Sequence, residues 1–186
     1  MIEIIISEVT NLSLPWLPPA SVSGILVVYG IGMIHSFRQR KTFVGVIKEY
    51  WKNYFLLYLF CVYLFIVLAL TILSRAPGSR GDVSWRLFET FCGGLHGIKN
   101  PIENILLFIP LGFFLPLLWK IFYRGLWCIT VGVLFSIAIE GVQYITKRGY
   151  TQTDDVVMNG LGTIIGYAVI YCCKQASLWR RSRKIL

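Results

Sequence analysis

Five runs of mainly apolar residues, at 20–36, 53–73, 101–122, 125–145 and 155–173, constrain this chain more than any other feature of its 186 residues. A helix of about twenty such residues crosses the roughly 30 Å hydrocarbon layer of a bilayer while satisfying its own backbone, which an exposed loop or open sheet edge does not do. Composition agrees, because 56% of the residues are hydrophobic and only 15% are charged, against about a quarter charged in soluble domains. The expected fold class is therefore all-α: a polytopic membrane helical bundle of about five transmembrane helices. The first run, SVSGILVVYGIGMIHSF, is the shortest; its glycines 24, 30 and 32 and its end near His35 suggest a tilted or re-entrant helix.

The connections leave little room for anything else. Residues 1–19 read as an external N-terminal segment, 20–173 as a single transmembrane domain, and 174–186 as a basic cytoplasmic tail. The opening twenty residues do not make a secretory signal, since Glu3 and Glu8 stand where a basic region belongs. Orientation follows from Lys and Arg, which stay with cytoplasmic loops. Arg38, Arg40, Lys41, Lys48, Lys52, Lys120, Arg124, Lys174, Arg180, Arg181, Arg183 and Lys184 fall on one side, 12 of 18, whereas every acidic residue except Glu49 falls on the other. The N-terminus is expected outside and the C-terminus inside. The net charge of +9 then serves topology and anionic lipid heads, and no nucleic-acid partner is expected.

Against this background the stretch SIAIEGVQYITKRGYTQTDDVVMNG at 136–160 stands out. Glu140 lies about 7.5 Å from the outer end of its run, and Asn159 and Asn104 about 6 Å from theirs, at 1.5 Å per helical residue. Ser136, Glu140 and Gln143 recur at i, i+4 and i+7, as do Asp155, Asn159 and Gly162, while Asn100 and Asn104 are four apart. Three polar stripes can thus converge on one outward-opening pocket. An ionised side chain costs on the order of 2.5–3.5 kcal/mol at the bilayer centre and less near the interface, so these residues should face the bundle interior. The charge state of Glu140 depends on whether Arg75 or Arg148 stands beside it. The plainer alternative stays open: Asn100, Asn104, Gln143 and Asn159 serve equally well as interhelical glue. Thr153 or Asp154 reads as the fifth helix's cap, with Asp155 at its positive end, so Asp154 is the weaker of the two acidic candidates.

The same residues carry a resemblance. The run NPIENILLFIPLGFFLP, followed by Ser136, Ile139, Glu140, Gln143, Arg148, Asp154, Asp155, Asn159, Gly162 and Gly166, resembles the VanZ-like family over about residues 71–170, including the neighbourhood of Thr71 and Arg75. That family takes its name from a teicoplanin resistance protein. The resemblance implies a small multi-span membrane protein linked to low-level resistance against a lipoglycopeptide that acts outside the cell, and it implies no established reaction. The stretch SWRLFETFCGGLHGIK departs from the family pattern.

Elsewhere the chemistry is ordinary. Pro110 and Pro116 each free a carbonyl four residues earlier and permit a kink. GTIIG at 162–166 is a close-packing pattern for use within the chain or between chains. Trp85, Leu87, Phe88 and Phe91 interleave with Arg86 and Glu89 as in an interfacial helix. Cys61, Cys128, Cys172 and Cys173 fall within spans and Cys92 alone lies in an external loop, so no external disulfide pair is expected. Cys92 and His96 lack an orienting partner for nucleophilic catalysis, and RGD at 80–82 is coincidental.

Two functions fit. In the favoured one, Arg75, Asn104, Glu140, Gln143, Arg148, Asp154, Asp155 and Asn159 line a site for a membrane lipid or lipid-linked envelope precursor at the extracytoplasmic face of the cell membrane, with a lipoglycopeptide antibiotic as a further candidate partner. In the alternative, the chain is an intramembrane enzyme acting on a lipid-linked phosphate, with Glu140 as general acid or base and Asp154 and Asp155 holding a divalent ion. The first needs neither cofactor nor metal. Transport is disfavoured, because five spans show no internal repeat.

Overall fold

A computed structural model describes residues 2–76, 78, 83–84, 94–149 and 151–182. Among them the chain is all-helical apart from one two-residue bridge, and five helices are long and apolar enough to cross a membrane, as a multi-pass protein requires. The chain divides into two compact units, Met1–Ser74 and Arg75–Leu186.

In the N-terminal unit, α1 (Ile2–Ser13) passes through a single 3-10 turn at Leu14–Trp16 into α2 (Leu17–Gln39). The first membrane candidate therefore begins at Ser7 and runs to Gln39, well before the expected start at residue 20. Pro15 and Pro18 explain the continuity, since each occupies the first turn of its helix, where the missing N–H has no partner to lose. Nor is α2 interrupted as a re-entrant helix would be: it runs unbroken for 23 residues. It ends at Arg40, whose left-handed φ of 52° lets Lys41 N–H reach the Ser36 carbonyl, a close relative of the usual glycine stop.

Thr42 then caps α3 (Phe43–Glu49) by accepting the Gly45 N–H, and α4 (Trp51–Leu68) follows. α4 widens into a π-turn at Ala69–Leu73, where Ser74 N–H bonds Ala69. α2 packs on its neighbours through side chains: Gly24 admits the Tyr58 ring of α4 and Gly32 the Phe43 ring of α3. At one end of this pair, Tyr54 and His35 Nδ1 are 2.8 Å apart, and Gln39 is 2.6 Å from His35 Nε2.

The C-terminal unit is built from α5 (Gly94–Leu118), a 3-10 turn at Lys120–Tyr123, α6 (Gly125–Thr146) and α7 (Thr153–Ser182). The third span stops at Leu118 rather than 122, because Trp119 turns to an extended φ of −133° and ψ of 125°. Pro110 and Pro116 both lie inside α5. The Gly112 carbonyl, four residues before Pro116, instead accepts the buried Cys128 thiol of α6 at 3.8 Å.

α5 and α7 make the most extensive helix pair, and they cross backbone to backbone. Gly112 faces the Thr163 carbonyl, Gly162 the Ile105 carbonyl, and Gly166 the Ile109 carbonyl. GTIIG thus packs within the chain. α6 joins them through Gly132, which lies against the Thr163 side chain. Between α6 and α7 the chain reverses at Lys147 and Gly149, both at positive φ. A parallel bridge then pairs β1 (Val83–Ser84) with β2 (Thr151–Gln152) just before α7.

Candidate functional site

All eight candidate residues belong to the C-terminal unit, and the close α5–α7 crossing brings their stripes together. Asn104 on α5 donates its amide to Asp155 Oδ1 on α7 at 2.7 Å. On α6 and α7, Asn159 donates to Ser136 Oγ at 2.8 Å, and Thr163 Oγ donates to the Asn159 carbonyl one turn earlier. Ser136 and Thr163 are fully buried, and Asn159 nearly so. A buried amide–hydroxyl pair of this kind contributes about 1 kcal/mol net, and losing one partner costs more.

Glu140 occupies the next level of α6. Only 7% of it is exposed, and its Oε2 accepts the backbone N–H of Gln152 at 3.2 Å. β2 is therefore part of the site, because its pairing with β1 holds the strand that presents this donor. Arg75 supplies the positive charge. Its guanidinium packs across Gly149, where the absence of a Cβ leaves room. Arg75 itself is exposed whereas Glu140 is buried. A solvent-facing cation thus sits on the turn that leads from Glu140 to Asp155.

The other candidates are more peripheral. Gln143 is buried one turn beyond Glu140, and its backbone carbonyl accepts Arg148 N–H at 3.0 Å to close the α6 terminus. Arg148 is half-buried, and Asn100 is exposed. α7 begins at Thr153, so Thr153 and Asp154 lie within its first turn and neither is the residue before the helix. Asp154 is buried to 3% exposure and Asp155 is only half-buried. Both carboxyl groups favour the positive helix end. Among the described residues, no group of three His, Cys, Asp or Glu side chains is placed to hold a metal ion.

Sequence reasoning missed three contributors. Thr163 was within reach as the i+4 neighbour of Asn159. Gly149 and the Gln152 N–H carry no side-chain signature, because one acts by lacking a side chain and the other is backbone. Arg80–Asp82, Arg86, Trp85–Phe91 and Cys92 lie outside the described residues, as does the side chain of His96.

The VanZ/LLP1 family model matches residues 55–174, from the first turns of α4 to near the end of α7, and so contains every candidate residue. No curated protein and no solved structure matches the chain.

Proposed function

We propose a ligand-binding role for this chain, which belongs to the VanZ/LLP1 family: its Glu140 cluster holds the polar head of a membrane lipid or lipid-linked envelope precursor at the extracytoplasmic face of the cell membrane. The observation that carries this reading is the buried Glu140 bonded to the Gln152 N–H three residues before Asp155, with the exposed Arg75 packed on Gly149 of the same turn, at one end of an all-helical unit. A guanidinium at the mouth suits a phosphate, with which it makes paired, charge-assisted hydrogen bonds. Carboxyl oxygens behind it suit the hydroxyl or amine groups of the same head. The 12 to 6 division of basic residues supports the outward orientation. Holding a precursor head there changes its display to a lipoglycopeptide, which accounts for a role in teicoplanin resistance.

A second reading draws on Glu140 and Asp155 sharing one end of the unit, since Glu140 binds the Gln152 N–H three residues before Asp155. Carboxyl groups so placed are what acid–base catalysis uses, and the ligand would then be a substrate with Glu140 as general acid or base. Native mass spectrometry of the protein taken from its own membrane, beside an Arg75→Gln variant, tests both. Binding predicts a co-purified lipid bearing a phosphate or glycan head that is lost in the variant, whereas the same mixture of bulk lipids on both proteins overturns it. A bound species chemically altered from the membrane pool selects the enzyme.

A further inference from the structure

The N-terminal unit has a binding feature unrelated to the Glu140 cluster. A groove of about 390 Å³ opens between α2, α3 and α4, walled by Ile25, Val28, Tyr29, Ile47, Trp51 and Tyr58 among others. That volume falls within the range of small-molecule sites. Its wall is almost wholly apolar, and Ile25, Tyr29 and Trp51 are each more than half exposed. From Trp51 to Tyr58 the groove follows α4 for roughly 10 Å, the depth of the first several methylenes of an acyl chain.

The rim has the opposite character. Between Phe37 and Asn53 the sequence carries Arg38, Arg40, Lys41, Lys48 and Lys52 against one carboxylate, Glu49. Glu49 already bridges Lys41 at 2.6 Å. The remaining cations have no second acidic residue in that segment, and Lys48 and Lys52 are exposed. The Lys52 ammonium lies 5.8 Å over the ring of Trp51, which itself lines the groove. We infer that this groove is a site for an anionic glycerophospholipid, one acyl chain lying against Ile25, Val28 and Tyr58 and the phosphate head resting on Lys48 and Lys52.

Charge selects this occupant over two others. A zwitterionic lipid brings its own cation to a basic rim. A second copy of the chain would bring the same basic loop against itself. Trp51 provides the amphipathic ring that favours the interfacial depth where head and chain meet.

Trp51 also reports occupancy. The full chain and its Trp51→Phe variant are reconstituted in phosphatidylcholine bilayers containing a minor fraction of brominated phosphatidylglycerol or of brominated phosphatidylcholine, and the difference in quenching isolates Trp51. The expected result is a preference for phosphatidylglycerol of roughly fivefold per lysine engaged, falling to parity in K48Q/K52Q. Val28→Phe, which fills the groove from within, should remove Trp51 quenching by both lipids while the surface variant keeps the chain folded. Equal quenching by the two lipids overturns the site, as does a preference that survives K48Q/K52Q. Trp51 left unquenched by either lipid in the unmodified chain also overturns it, and indicates a protein surface covering the groove.

Discussion

The two units solve the same packing problem differently. In the N-terminal unit the neighbours of α2 are rings: a methyl group built on Gly24 would meet the Tyr58 ring of α4 at 3.0 Å, and one on Gly32 the Phe43 ring of α3 at 2.7 Å, flexible neighbours that can shift. In the C-terminal unit, α5 and α7 meet through Gly112, Gly162 and Gly166, and the neighbour is backbone in each case. Lipid tails are as apolar as Leu, so helices in a bilayer associate through close packing and hydrogen bonds rather than hydrophobic exclusion. A backbone-to-backbone crossing fixes the relative register of α5 and α7, which is what holds Asn104 against Asp155; Ser136 reaches Asn159 from α6, which approaches through Gly132. A ring-spaced pair leaves a groove and keeps its polar contacts at one end. Rigidity and a buried polar cluster occur together in one unit, and looseness and an apolar groove in the other.

The sharpest way to break this contrast is to add a methyl group at matched positions. Gly166→Ala should destabilise the protein by about 3 kcal/mol or more, because the new carbon runs into the Ile109 carbonyl and cores rarely absorb such overpacking. Gly24→Ala should cost less, since its nearest neighbours are Tyr58 ring atoms at 3.0 and 3.2 Å. Gly30→Ala meets nothing within 4 Å and should be neutral or stabilise by up to about 1 kcal/mol through helix propensity. Thermal unfolding in lipid–detergent micelles ranks the three, and equal tolerance at Gly166 and Gly30 would erase the distinction between the units.

A polar pair of substitutions is expected to have a smaller effect. Ser136→Ala leaves the buried Asn159 amide without its acceptor and should cost about 1–3 kcal/mol. Ser23→Ala removes only a bond to the Ala20 carbonyl of the same helix, and should stay within about 0.5 kcal/mol. If the two melt alike, buried polar contacts do not distinguish the units.

The smallest effect belongs to the surface pair of the N-terminal unit. The hydrogen bond to Lys41 holds the Glu49 carboxyl below its ordinary range, and the same bond raises Lys41. Any stability from Glu49 is therefore present at neutral pH and lost as the pH falls through its lowered value. Any from Lys41 is present at neutral pH and lost as the pH rises through its raised value. Both groups are exposed, where screening leaves such pairs little effect. Glu49→Gln should leave the melting temperature unchanged at neutral pH, and a clear drop would show that the α2–α3 turn depends on this ion pair.

Much of this was legible in the sequence because hydropathy and helical spacing are local. The five apolar runs appear as five long helices, and Ser136 and Asn159, each on its polar stripe, meet in a hydrogen bond. What stayed hidden depended on backbone geometry or on distant partners. α1 was concealed because Pro15, Pro18 and Pro19 read as breakers, although a proline in a first turn breaks nothing. The end of α5 depends on a single extended residue, Trp119, with no composition change to announce it. Arg75 and Arg148 are equal candidates in the sequence for the charge beside Glu140, and the seat of Arg75 on the α6–α7 turn depends on Gly149, a residue whose contribution is an absence. The donor from Gln152 is a backbone N–H positioned by a two-residue bridge, which no side-chain pattern encodes.

Whether the C-terminal unit's buried polar cluster serves a ligand or only glues helices is decided by Glu140→Gln. The change keeps the shape of the side chain and an oxygen able to accept the Gln152 N–H. The measurement is native mass spectrometry of the lipid that co-purifies with the variant and with the parent, taken together with the melting temperature of each. A ligand site predicts a well-expressed protein that melts within a few degrees of the parent and has lost the phosphate- or glycan-headed lipid. A variant that keeps that lipid in full would contradict a ligand role for Glu140. So would one that loses it only in step with its stability, since Glu140 would then be structural.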